Sequence, residues 1–187
     1  MRITGGCLKG RALRAAPRPG LRPTRALVRE AAFSVLGPDG CRGMVFADFY
    51  SGSGIIGLEA VSRGAARVYS VEQDPEAVKV LRDNLRHCLN DLFPEVFEVL
   101  ALRAERAVEI MAARQVKVDI VYLDPPYREA EPAVRLLHQA LRAAVFSPGA
   151  KILFEHAPGF NLSVDPGFTV LRFRKYGNTA LTLLTLT

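Results

Sequence analysis

From residue 43 to residue 155 the chain alternates short apolar runs with longer amphipathic segments, and this alternation limits its fold more than any other feature. The short runs have the length and β-branched content of buried strands, and the segments between them repeat apolar residues at helical spacing. Strands are expected at 44–48, 67–71, 97–100, 118–123 and 150–155. Helices are expected at 54–63, 75–88, 104–114 and 132–145; Ala77, Val80, Leu81, Leu85 and Cys88 form the apolar seam of the second. Repeated β-α-β units require parallel strands with helices on both faces. Two further strands, 168–174 and 180–186, meet through Gly177-Asn178 with no helix between them, so they close the sheet as an antiparallel hairpin. The fold class is therefore α/β: a Rossmann-like, mostly parallel, doubly wound sheet with an antiparallel C-terminal hairpin and an N-terminal extension.

The extension is the basic part of the molecule. Residues 1–42 hold nine basic side chains against Glu30 and Asp39, and the sheet domain, 43–187, is close to neutral. Eight of the nine are arginine, whose fork suits phosphate. A polyanion is the expected partner, with nucleic acid the commonest; the plainer reading is a solvated basic surface. Gly and Pro through residue 23 suggest a short hairpin around Gly10 and then an irregular loop. Thr24 has the position of an N-cap for a helix reaching Leu36, with Arg25 and Arg29 on one side of it. Composition fits a globular protein, with 49% apolar and 24% charged residues. No apolar run approaches a membrane span, and the opening Met1-Arg2-Ile3-Thr4 lacks the apolar centre of a secretory signal. Cys7, Cys41 and Cys88 are odd in number and far apart, which suggests neither a disulfide framework nor a zinc site. His87, His138 and His156 have no metal-ligand spacing. A cytoplasmic protein without a metal is expected, and nothing in the chain requires more than a monomer.

Between the first strand and first helix of the sheet domain stands Asp48-Phe49-Tyr50-Ser51-Gly52-Ser53-Gly54, with Gly57 inside the helix. Glycines there permit a tight turn and let backbone N–H groups approach a ligand. The second strand ends in Glu72-Gln73, where a carboxylate can accept both hydroxyls of a ribose, or cap the next helix. Ligands of such sheets sit beyond the carboxyl ends of the strands. Asp48, Glu72 and Asp124 all fall on that edge. Three acids repel a bare pyrophosphate and suit a cationic cofactor. S-adenosyl-L-methionine, with its sulfonium, amino group and ribose diol, fits that pattern.

After the fourth strand stands Asp124-Pro125-Pro126-Tyr127, the most specific motif in the chain. Two prolines cannot continue a ladder, so the backbone leaves the sheet in a fixed shape. An exocyclic base amine is a poor nucleophile because its lone pair is delocalised into the ring. Hydrogen bonds from its N–H groups to the Asp124 carboxylate and the Pro125 carbonyl would aim that lone pair at a methyl donor. Tyr127 would stack on the base, and Asp124 or water would take the proton released after attack.

The order Asp48-x-x-x-Gly52-Ser53-Gly54, Glu72, Asp124-Pro125-Pro126-Tyr127 resembles the S-adenosylmethionine-dependent amino-methyltransferases. Met1-Arg2-Ile3-x-Gly5-Gly6, Lys9-Gly10-Arg11, Gly20-Leu21-Arg22-Pro23-Thr24, Val28-Arg29-Glu30, Gly57-Leu58-Glu59-Ala60 and Lys175-Tyr176-Gly177-Asn178-Thr179 narrow the resemblance to the bacterial RsmD family. These enzymes methylate the exocyclic N2 of one guanine in 16S ribosomal RNA during assembly of the 30S subunit. The resemblance implies a methyl-transfer site at Asp124, Pro125, Pro126 and Tyr127. It implies a cofactor site at Asp48, Tyr50, Gly52, Ser53, Gly54, Glu72, Gln73, Ala104 and Asp124. It implies RNA contacts from Arg2, Lys9, Arg11, Arg14, Arg22, Thr24, Arg25 and Arg29. Three departures stand out. Tyr50-Ser51 replaces the family's Phe-Ala before the turn, and Leu27 stands where another Arg is usual. Arg103-Ala104-Glu105 occupies the place of an adenine contact, which leaves that contact to the backbone of Ala104. A nicotinamide-dependent dehydrogenase, a DNA adenine-N6 methyltransferase and a catalytically silent ribosome-assembly factor are the alternatives. The first leaves the Asp-Pro-Pro-Tyr motif and the basic arm unexplained. The second usually needs a further recognition domain. The third has no use for an intact methyl-transfer motif.

Overall fold

The computed structural model describes residues 1–15, 26–90, 93–163 and 167–187. Its sheet has seven strands: β1 (Val45–Phe49), β2 (Arg67–Val71), β3 (Phe97–Leu100), β4 (Val118–Leu123), β5 (Phe146–His156), β6 (Phe168–Tyr176) and β7 (Thr179–Leu186). Their spatial order is β3-β2-β1-β4-β5-β7-β6. The first five are parallel, and β7 runs antiparallel between β5 and β6. The helices are α1 (Ala26–Leu36), α2 (Ile55–Ser62), α3 (Pro75–Leu89), the short α4 (Phe93–Val96), α5 (Ala104–Ala113) and α6 (Ala130–Arg142).

Alternation along the strands divides the core in two. Phe46, Ile120, Tyr122 and Leu153 face Phe33 of α1, Leu58 of α2 and Leu81 and Leu85 of α3. Ala47, Val121, Ile152 and Phe154 face Val108 and Met111 of α5 and Leu136 and Leu137 of α6. Both faces of the central strands are thereby buried, which is why those strands read as continuous apolar runs.

Three expected strands match the structure at both ends; β1 lies one residue later than expected. Two boundaries moved for identifiable reasons. β5 begins at Phe146, because Phe146 pairs with Val118 and a register shift between Val118 and Ile120 absorbs the extra residues. α6 begins at Ala130, two residues before Pro132; a proline in the first turn forfeits only an N–H that has no helical partner.

The N-terminal hairpin turns as expected. Ile3 N–H donates to the Arg11 carbonyl (3.0 Å) and Gly10 N–H to the Ile3 carbonyl (2.8 Å). It does not hang off the sheet domain, however. Ile3 and Leu13 are buried in the same cluster as Phe33, Leu58 and Leu81. Polar anchors on α2 and α3 hold it there. Ser62 Oγ donates to the Gly5 carbonyl (2.5 Å) and accepts from Leu8 N–H (2.8 Å). Asn84 bonds both backbone groups of Arg14, each at 3.0 Å. The fully buried Glu59 accepts from Thr4 N–H (2.6 Å), Thr4 Oγ1 (2.8 Å), Arg29 Nε (3.0 Å) and Arg63.

Arg29 departs from the expectation. It is 2% exposed, its guanidinium pairs with Glu59, and its Nη2 donates to the Arg2 carbonyl at 2.9 Å. A guanidinium taken out of water needs these partners and has no surface to offer a phosphate. Arg29 fastens the arm, which departs from the expected role in contacting RNA. Arg22, Thr24 and Arg25 lie outside the described residues.

Candidate active site

The loop from β1 to α2 bends sharply because three of its residues take left-handed conformations: Tyr50 (φ 64°), Gly52 (φ 54°) and Gly54 (φ 79°). Gly54 favours glycine on two counts: its positive φ, and a Cβ there that would lie 2.1 Å from Cδ1 of the buried Leu81 and would have to displace it. A Cβ on Gly52 would meet nothing within 4 Å, so this glycine faces open space that a ligand can enter. Tyr50, a non-glycine residue at positive φ, stores strain of the kind that collects at functional sites. The turn is closed by Gly54 N–H to the Ser51 carbonyl (2.8 Å) and tied to β2 by Ser51 N–H to the Val71 carbonyl (3.0 Å). Ser53 is buried, and its carbonyl accepts from Asn84 Nδ2 at 2.9 Å.

Glu72 clamps this turn to the end of β2. Its Oε2 accepts from Gly52 N–H and its Oε1 from Asp74 N–H, each at 2.9 Å. The N-cap of α3 is Asp74, which accepts from Ala77 N–H (2.9 Å), so the reading of Glu72 as that helix's cap does not hold. Gln73 is exposed beside Glu72. Ala104, buried, opens α5, and the N–H groups of a helix's first turn have no acceptor within the helix.

Asp48 lies beneath the turn, 1% exposed, accepting from Gly57 N–H at 3.2 Å. Burial, with the charge of Glu72 adding to it and the Gly57 bond opposing, pushes its carboxyl up to about 8. Asp48 therefore braces the start of α2. On the neighbouring strand the buried Tyr122 hydroxyl donates to Glu155 Oε2 of β5 at 2.8 Å. Burial first, then the charges of Glu155, Asp124 and Asp48, hold that phenol well above its ordinary range. Asp48, Asp124 and Glu155 thus converge around one phenol at the carboxyl edge of the sheet.

Asp124, half-buried, leaves the end of β4, followed by the buried Pro125 and the half-buried Pro126. The Pro126 carbonyl accepts from Glu129 N–H (2.7 Å) and starts a single 3-10 turn, Tyr127–Glu129. Burial, then the carboxylates of Glu129 and Glu105, push the Tyr50 phenol up to about 12, and Tyr50 packs against the core cluster that takes in α5 and α6.

Of the basic arm, Arg2, Lys9, Arg11 and Arg14 are exposed. Arg2 donates to the Gly10 carbonyl (2.9 Å) within the hairpin, and Arg11 to the Cys88 carbonyl of α3 (2.6 Å), which ties the arm to the body. Sequence reasoning missed Asn84 and the Tyr122–Glu155 pair. Asn84 carries a readable signal, a polar side chain three residues from Leu81 on an otherwise apolar seam. Among the described residues no group of three or more His, Cys, Asp or Glu side chains is placed to hold a metal ion. Among them, no helix is long and apolar enough to cross a membrane.

This sheet order, with a glycine turn after β1, an acid after β2 and Asp-Pro-Pro-Tyr after β4, defines a Rossmann-like methyltransferase of the S-adenosylmethionine-dependent class. Residues 1–185 match the family model described as Conserved hypothetical protein 95. The chain belongs to that family, the RsmD family that its motifs resemble. It is 37% identical over 131 residues to YlbH of Bacillus subtilis, covering 69% of this chain and 68% of that one. It is 35% identical over 139 residues to ribosomal RNA small subunit methyltransferase D of Escherichia coli, covering 73% and 66%. The solved structure of yhhF from Escherichia coli superposes with a TM-score of 0.81 at 28% identity, over 100% of this chain and 97% of that one.

Proposed function

We propose that this protein methylates the exocyclic N2 amine of a guanine in 16S ribosomal RNA, with S-adenosyl-L-methionine as methyl donor. The substrate is the rRNA itself or a 30S assembly intermediate. The observation that carries this reading is the rigid Asp124-Pro125-Pro126 exit from β4, beside a glycine turn clamped by Glu72. The cofactor fits the residues present. Open space lies over Gly52, first-turn N–H groups stand at Ala104, and acids line the edge where a sulfonium and a ribose diol would lie. Glu72 would hold the ribose, the Ala104 backbone the adenine, and Tyr50 the wall between them and the base. When bound, S-adenosylmethionine supplies an electrophilic methyl group on a positively charged sulfur.

The chain's own part is to present the nucleophile. The Asp124 carboxylate and Pro125 carbonyl accept the two N–H bonds of the amine, which fixes its nitrogen and turns its lone pair towards the cofactor side. Tyr127, whose side chain lies outside those described, is assigned to stack on the base, worth about 1–3 kcal/mol. As the nitrogen gains its methyl group its N–H becomes acidic, and Asp124 or a water takes that proton. A paired guanine shows N2 only to the minor groove, so the target base must be unpaired or flipped out. Arg2, Lys9, Arg11 and Arg14 hold the flanking phosphates, which makes binding salt-dependent.

Asp124→Ala tests this reading. Titration calorimetry should show retained cofactor binding, and tritium transfer to rRNA should be lost. Full transfer by the variant refutes the mechanism.

A further inference from the structure

β6 carries a surface that the site above leaves unused. It is the outer strand of the sheet and, among the described residues, pairs only with β7. From Thr169 to Lys175 every side chain is exposed, with Val170, Leu171 and Phe173 at 48%, 54% and 50%. A strand of a soluble sheet ordinarily buries one face. Arg172, Arg174 and Lys175 are interleaved with these apolar residues. Neither β6 nor β7 contains an acid, and among the described residues none of the three cations is paired with a carboxylate.

Register places this strand at the working edge. Leu123, just before Asp124, pairs with Phe154; Glu155 and His156 pair with Leu181 and Ala180; and these pair with Arg174 and Lys175. The basic end of β6 thus shares the rim from which Asp124 emerges, three strand spacings or roughly 14 Å away. Arg172 and Arg174 stand opposite Leu183 and Leu181, on the face that carries the N-terminal hairpin. Phe173 is on the other face, its ring 6.2 Å from that of His156. Strand addition by a second protein is discouraged, because the register shifts at Leu171 and the edge is positively charged. Cations on an edge strand that also carries a half-exposed aromatic ring suit a polyanion with unpaired bases.

We propose that β6 is a second RNA-contact surface. Arg172, Arg174 and Lys175 hold phosphates on the far side of the target base from the arm, and Phe173 stacks on a neighbouring unpaired base. This rests on the rRNA reading given above. The test uses the full-length protein and in vitro transcribed small-subunit rRNA, free and in undermethylated subunits, over a salt series. Losing two phosphate contacts in R172E/R174E should make the log–log salt dependence shallower by about 1.4 to 1.8. Phe173→Ala should weaken binding about 5- to 150-fold, and Phe173→Trp should restore it. Cofactor affinity and kcat at saturating RNA should not change. Wild-type RNA affinity and salt slope in R172E/R174E, while Lys9→Glu weakens binding, overturn the proposal and leave the rRNA reading standing. Loss of a dimer in R172E/R174E on sedimentation, with RNA affinity intact, also overturns it. If wild-type protein neither binds nor methylates the RNA, the rRNA reading fails first.

Discussion

Glu59 offers the sharpest test of how the basic arm is held. Its carboxylate is fully buried and accepts from Arg29, Arg63 and both donors of Thr4. The side chains of Arg29 and Arg63 are only 3% and 16% exposed. Glu59→Ala removes the common acceptor and leaves Arg29 charged and buried without its carboxylate, its Nη2 still donating to the Arg2 carbonyl. Breaking a buried pair in this way costs about 3–5 kcal/mol, most of it the penalty of the stranded charge. In a chain of this size each kcal/mol lowers Tm by about 2–4 °C, so calorimetry should show a fall of roughly 6–20 °C. Glu59→Gln keeps the volume and one acceptor oxygen and should lose less. Limited trypsin digestion separates local from global effects. If the cluster fastens the arm, cleavage after Arg11 or Arg14 should accelerate in native conditions before the sheet domain is attacked. A loss below about 1 kcal/mol, with unchanged cleavage at the arm, would refute the reasoning, because it would mean that water already reaches these arginines.

Two further outcomes follow from buried polar groups around the glycine turn. Asn84→Ala removes the bonds to Arg14 and to the Ser53 carbonyl, and should cost about 1–3 kcal/mol of stability as well as weaken cofactor binding by calorimetry; unchanged cofactor affinity would show that the turn holds its shape without it. Asp48 sits at about 8 in the folded protein against 3.8 for the free side chain, so between those values the unfolded chain releases a proton that the folded protein keeps. This group therefore makes stability fall as pH rises through that window. In urea unfolding Asp48→Asn should gain on the wild type between pH 5 and pH 8, and a pH-independent difference between the two would contradict the assignment.

The sheet was legible because its signals are local. Val118–Leu123 announces itself by an apolar run and a proline stop, and the Asp-Pro-Pro-Tyr exit needs no tertiary context to be read as rigid. The arginines were harder to read, because charge in a sequence does not say which side chains reach water. Arg14 and Arg29 look alike in the sequence; one is exposed and the other lies beside Glu59. The difference is set by a single acid on a helix 30 residues further on, whose partners come from three separate segments. Pairings of that kind depend on the fold having formed, and no spacing rule contains them.

The same long-range contacts change what the N-terminal segment is for. Asn84 bonds the Arg14 backbone with one set of atoms and the Ser53 carbonyl with the same amide nitrogen, and Ser53 belongs to the turn that Glu72 clamps. Met1 reaches that turn too, with its sulfur 3.9 Å from Ser53 Oγ. If the arm grips phosphate, it pulls on backbone that a single amide side chain joins to the glycine turn. Ordering either end lowers the cost of ordering the other, and the coupling must be reciprocal. RNA should then tighten cofactor binding by the factor by which cofactor tightens RNA binding, and Asn84→Ala should bring both factors towards one. Equal and undiminished factors in that variant would place the coupling elsewhere.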